Sequence, residues 1–142
     1  MVECVPQHSR QTYYRFRVRV TGTSPLDWST YLDLARELAE QNTEAHQRSA
    51  VSRAYYAMYC TARDMLEIVG DFNPPQCGSD HVYLWNTFAE EPYRAIPVRD
   101  LGQRLRQART QADYDNYISN LPSFVESAIL DAEELKDALE DL

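Results

Sequence analysis

Apolar positions recur along most of this chain at spacings of three and four residues, the period of an α-helix that buries one face. After a turn-like "TGTSPLDW", Ser24 is placed as an N-cap, with Pro25 at the first helical position and Asp27 completing a cap-box-like pattern. A first helix is predicted from there to about Gln41, burying Leu26, Tyr31, Leu34, Ala35 and Leu38. Thr43 caps a second helix that Gly70 is placed to end. That helix is about 40 Å long at ~1.5 Å per residue, long enough to be the spine of a small domain. "GDFNPPQCGS" is a loop by composition. A third helix is predicted over Ser79 to Glu90, and a loop with Pro92 and Pro97 follows. A fourth is predicted over Val98 to Tyr117, with Leu101, Leu105, Ala108 and Ala112 on one face. Pro122 precedes a fifth, from about Ser123 to the end, which turns Val125, Ile129, Ala132, Leu135 and Leu139 inward.

The first 23 residues follow a different rule. In "YYRFRVRV", Phe16, Val18 and Val20 alternate with Arg15, Arg17 and Arg19. That period of two marks a strand or extended arm, which must pair or lie on the helical body because a lone strand is unstable. The expected organisation is an extended arm over residues 1–23 and a helical domain over 24–142. The expected fold class is all-α, an antiparallel bundle of four or five helices.

The long second helix raises a question of its own. At about 100° per residue, Val51, Ala54, Tyr55, Met58, Tyr59, Ala62, Met65, Leu66 and Val69 form a broad core stripe. Beside it runs a second stripe of Ser49, Arg53, Tyr56, Cys60 and Arg63. Tyr and Arg are enriched in binding hot spots, and a guanidinium over an aromatic face adds ~0.5–2 kcal/mol. An ordinary amphipathic boundary, with Arg stems covering apolar surface, fits the same pattern. The fourth helix repeats the plan: Arg106, Arg109, Asp113 and Tyr117 lie beside its Leu/Ala face. Arg109 and Asp113 are one turn apart, which makes them either a surface ion pair or a guanidinium oriented toward a groove.

Composition refines this picture. The chain has 142 residues and a net charge of −8, which argues against broad, non-specific nucleic-acid binding but leaves room for a local basic groove. Its cations are 13 Arg and one Lys, Lys136, and Arg is suited to bidentate phosphate or carboxylate contacts. The three cysteines, Cys4, Cys60 and Cys77, form no disulfide framework. With no signal-type apolar core and no run approaching the ~18 residues of a membrane span, a reducing cytoplasm is the expected compartment. Cys77, Asp80 and His81 cluster in sequence but lack a further ligand at metal-site spacing. No metal site or other cofactor is assigned, and no Gly-rich phosphate loop occurs.

"RSAVSRAYYAMYCTAR" followed by "LRQARTQADYDNY" resembles the HEPN family of helical domains. "LDWSTYLDLARELAE" and "DHVYLWNTF" are similar to other helices of that family, so the resemblance covers about Asp27 to Leu139. It implies an up-and-down helical bundle, commonly a homodimer, and in many members a toxin–antitoxin or defence role. Some members are metal-independent ribonucleases, and some pair with a small nucleotidyltransferase. Others are thought to bind nucleotides, RNA or proteins.

The ribonuclease members carry on a late helix an Arg followed, about one to two turns on, by a His. Arg109 matches the Arg, but no histidine follows His81. Asp113 and Tyr114 occupy the neighbouring positions. A tyrosine in that role needs its pKa lowered by about three units, or ~4 kcal/mol, and an adjacent Arg lowers a carboxylate instead of raising it toward a useful base. The leading expectation is therefore a dimeric module that binds RNA, a nucleotide or a partner protein. Its binding residues are Arg53, Tyr56, Arg63, Arg106 and Tyr117. The alternatives are a ribonuclease using Arg109 with Asp113 or Tyr114, and a purely structural interaction domain.

Overall fold

The computed structural model describes residues 25–142, and the expected N-terminal arm and the Ser24 cap lie outside the described residues. Within them the chain is an all-α antiparallel bundle of five helices: α1 (Ser29–Ala39), α2 (Glu44–Val69), α3 (Asp80–Thr87), α4 (Ile96–Tyr114) and α5 (Leu121–Glu140). Each of the other four helices packs on α2.

The ends of α2 lie where their capping residues demand. Thr43 Oγ1 accepts the His46 backbone N–H, and Gly70 adopts the left-handed conformation, φ 81°, while the Asp71 N–H returns to the Leu66 carbonyl at 2.8 Å. Between them, Ala50, Val51, Ala54, Tyr55, Ala57, Met58, Ala62 and Leu66 are essentially inaccessible to solvent. Burial therefore extends beyond the expected core stripe, and Cys60, assigned to the second stripe, joins the core. The recurring alanines let neighbouring helices approach α2 from several sides, which a wheel of one helix cannot show. At its far end the stripe stops short: Met65 is half-buried and Val69 is exposed.

The other helices correct several boundaries. α1 begins at Ser29, not at Pro25: Asp27 makes a turn just before it, its Oδ1 accepting the Ser29 N–H at 2.9 Å and its carbonyl the Thr30 N–H at 3.1 Å. Leu26 and Leu34, expected inside, are exposed. Leu32 and Ala35 take the buried positions, with Tyr31 and Leu38 half-buried beside them. Pro97 is not a loop residue but part of the first turn of α4, where its missing N–H costs nothing. Pro122 sits likewise in the first turn of α5, which starts at Leu121. Helix α4 ends at Tyr114, not Tyr117, because Arg48 Nη1 reaches its terminus and donates to the Ala112 carbonyl at 3.1 Å and the Asp115 carbonyl at 2.5 Å. A cation is favourable at that end of a helix.

Cys60 is buried and not disulfide-bonded. Cys77, in the loop between α2 and α3, is disulfide-bonded, a bridge that the sequence pattern does not announce. Among the described residues no helix is long and apolar enough to cross a membrane.

α3 and α4 pack closely where Trp85 meets Gly102. Gly102 faces the indole of Trp85, which is fully buried, and a methyl group at position 102 would overlap its six-membered ring. Gly102→Ala is therefore expected to destabilise the domain at the upper end of the ~1–3 kcal/mol typical of overpacking. Denaturant unfolding checks this, as a lower midpoint with an unchanged slope.

Candidate functional site

Facing surfaces of α2 and α4, closed at one side by the first turn of α3, gather aromatic rings and cations. On α2, Tyr55, Tyr56 and Tyr59 follow one another around the helix, with ring centroids 5.4 Å apart for Tyr55–Tyr56 and 5.9 Å for Tyr55–Tyr59. The Arg109 guanidinium of α4 lies 5.5 Å from the Tyr55 ring centre and 5.6 Å from that of Tyr56. Arg53 approaches Tyr56 from its own helix, 5.5 Å from the ring centre, and lies 5.2 Å from the Tyr31 ring of α1. Tyr56 thus shares its ring with two cations.

Arg109 is turned inward. Its side chain is only 13% exposed, and its Nε is fully buried with no hydrogen-bond partner. An unsatisfied buried donor on a charged group is costly, so this guanidinium holds unused hydrogen-bonding capacity. Asp113 offers little relief: Nη1 to Oδ2 is 3.4 Å, longer than a good charge-assisted bond. Arg106, one turn before, donates from Nε to Gln103 at 3.2 Å and makes no ion pair among the described residues.

The contrast with the other arginines is informative. Arg36, Arg48, Arg63, Arg94, Arg99 and Arg104 each have a carboxylate partner. Arg104, for example, holds Asp131 with two bonds of 2.6 and 2.7 Å. Among the described residues, Arg53 and Arg106 have no acidic partner and Arg109 has only the loose one. In a chain of net charge −8, three poorly neutralised guanidiniums beside one group of tyrosines make a local positive site. Such a site can hold an anion through forked N–H donors and stack a planar group on its rings.

His81 completes the cluster from α3. Its ring stacks on Tyr59 with centroids 4.1 Å apart, stands edge-on to Tyr56 at 6.2 Å, and hydrogen-bonds the Tyr55 hydroxyl through Nδ1 at 2.6 Å. Burial, first, and then the nearby charges of Arg109 and Arg106 hold its pKa below the ordinary histidine value, against a smaller opposite pull from Asp80. Burial likewise pushes the Tyr55 hydroxyl up, so it remains a phenol.

The structure thus brings together Arg53, Tyr56, Arg106 and Arg109. It does not bring in Arg63, whose guanidinium lies 5.7 Å from the Trp28 ring and pairs with Asp64 at 2.7 Å, fastening the start of α1 to α2. Tyr114 ends α4 with its ring 74% exposed, and Tyr117 beyond it is 80% exposed. Neither lies over Arg109 as Tyr55 and Tyr56 do. Asp113 is exposed, touching only the rim. Tyr55 and Tyr59 are buried in the core, as their stripe predicted, while also adjoining Arg109 and His81; sequence reasoning missed His81, taken as part of an accidental cluster. A signal was present: His81, Leu84, Trp85 and Phe88 share a helical face at spacings of three, four and seven, and the last three are fully buried. Among the described residues no group of three or more His, Cys, Asp or Glu is placed to hold a metal ion.

A family model described as "HEPN domain" matches residues 29–142. No curated protein and no solved structure matches the chain.

The environment of His81 has a consequence for pH. Its folded pKa lies below the ~6.5 of the unfolded chain. As pH falls through about 6.5, the unfolded chain binds a proton that the folded ring does not, so stability falls with pH until the folded pKa is reached. Ring NMR is expected to show His81 titrating below 6.5, and His81→Gln is expected to flatten the loss of stability on acidification between about pH 7 and 5.

Proposed function

Because the chain belongs to the HEPN domain family, we propose that it is a dimeric module that binds RNA or a nucleotide in the cleft of Arg53, Tyr56, Arg106 and Arg109, within a toxin–antitoxin or defence system. One observation carries this reading: among nine described arginines, these three are the ones left without a close carboxylate; Arg53 and Arg109 both lie over the Tyr56 ring, and the charge of Arg106 acts on Tyr55 and His81 beside them. Carboxylates neutralise the other six, so among the described residues the free hydrogen-bonding capacity of the guanidiniums is concentrated at one place. Phosphate oxygens suit those donors, and bases suit the aromatic faces, where stacking contributes ~1–3 kcal/mol per base. A second copy of the chain across the cleft, in the manner of family dimers, would double the cationic set. A small nucleotidyltransferase is the protein partner that fits the family setting.

The ribonuclease alternative needs a proton-transfer group beside Arg109. Tyr114 and Asp113 are poor candidates, since both are exposed to solvent. Binding is the better supported role.

A labelled single-stranded RNA is the direct test. Wild-type protein is expected to bind it with an affinity that falls as salt rises. Arg109→Ala and Arg106→Ala should each weaken binding about tenfold or more and reduce the log–log salt slope by about one contact. Arg104→Ala, on the α5 side, should do neither. Strand cleavage that Arg109→Ala abolishes would replace the binding reading with the ribonuclease one. Absence of binding at low salt, for RNA and nucleotides alike, would leave a protein-interaction domain.

A further inference from the structure

The hydrogen-bond chain behind His81 decides what that ring presents to the cleft. The Trp85 indole Nε1–H can only donate, and it donates to the Tyr55 hydroxyl oxygen at 3.3 Å. Tyr55 is fully buried and keeps its proton, so the phenolic O–H needs an acceptor of its own. His81 Nδ1, at 2.6 Å, is the acceptor placed there. The reverse assignment, with Nδ1–H donating to Tyr55, would strand the phenolic proton in the core at ~1–3 kcal/mol. The ring is therefore fixed as the Nε2–H tautomer. Among the described residues that second nitrogen has no hydrogen-bond partner, and it is not among the unpaired atoms sealed from solvent; the ring is partly buried beside Tyr59.

We propose that His81 is a third phosphate-binding group of this cleft, its Nε2–H donating to an oxygen of the same phosphate that Arg106 and Arg109 hold. The proposal rests on the reading of the cleft as an anion site and names the group that this site adds to its arginines. Its geometry also argues against His81 as a general base. The Nδ1 lone pair is occupied by Tyr55, and Nε2 already carries its proton. The groups facing the ring are Tyr55, Tyr56 and Tyr59 from α2, Arg106 and Arg109 from α4, and Asp80 beside it. A bound phosphate offsets the two arginine charges, so it raises the affinity of the ring for a proton. Phosphate binding and proton binding at His81 thus favour each other.

Nitrogen and proton NMR of the ring in the full chain, with adenosine 5′-monophosphate as probe and adenosine as control, tests this. Without ligand, Nδ1 should show the shift of an unprotonated nitrogen and Nε2 that of a protonated one. The monophosphate should move the His81 resonances and raise its titration midpoint; adenosine should do neither. His81→Gln, which retains an N–H donor, should bind the monophosphate within about threefold of wild type, whereas His81→Phe, which retains only the stacking ring, should lose about tenfold, the scale of one charge-assisted hydrogen bond. A 5′-phosphorylated RNA oligomer run in parallel shows whether the phosphate is presented by a free nucleotide or by a strand. An Nδ1–H tautomer in the free protein, or undiminished binding by His81→Phe while Arg109→Ala binds poorly, overturns the role of His81 and leaves the arginine cleft standing. Failure of wild type to bind either probe overturns both.

Discussion

One buried guanidinium sets the terms for this molecule. Arg109 is drawn in against Tyr55 and Tyr56, with its Nε sealed from water and unpaired. A charge in that position is tolerable only if something around it compensates, because desolvating an ion costs several kcal/mol even after relaxation. The two tyrosine faces supply part of the compensation through their negative quadrupoles, and Asp113 supplies a weak remainder. A better ion pair was available in principle: the chain carries 22 acidic residues, and six of the nine described arginines have one at hand. Leaving this arginine underpaired keeps it able to accept an external anion. Breaking a tight ion pair first would consume most of the gain.

The same tyrosines tie the site to the core. Tyr55 lies on the buried face of α2, yet its hydroxyl joins Trp85, which packs on Gly102, to His81, which stacks on Tyr59. Core packing between α3 and α4 therefore positions a polar group at the surface of the site. The short α3 is held by Ser79 at its N-cap and by Leu84, Trp85 and Phe88 beneath it, so His81 has little freedom to swing away. Rigid support of this kind makes small differences in ligand geometry count.

The helices were legible in the sequence because each carries a helical period and two of the five, α2 and α3, carry a side-chain cap. Thr43 and Gly70 delimit α2 by chemistry that acts within one turn. The errors fell where a distant residue intervenes. Nothing local says that Arg48 will cap α4 and stop it before Tyr117. Nothing local says that Leu34 will face water while Leu32 is buried; that depends on how α1 is rotated against α2. The site divides in the same way. Arg53 and Tyr56 on one helix, and Arg106 and Arg109 on another, are each visible as stripes. Their convergence follows from the two helices packing face to face. His81 comes from a third helix, and only the assembled bundle places it on Tyr59.

The acid balance of the chain also bears on what such a cleft can hold. At physiological salt, charges beyond ~8 Å are largely screened. A phosphate seated between Arg106 and Arg109 feels mainly those arginines, not the net charge of −8. A long polyanion lying across the molecule would meet other surfaces, including α5, whose sequence "DAEELKDALE" is strongly acidic. Each phosphate placed there adds repulsion instead of releasing counterions. For the anion site proposed above, the arrangement therefore favours a single nucleotide, a strand end or a short single-stranded segment over a duplex.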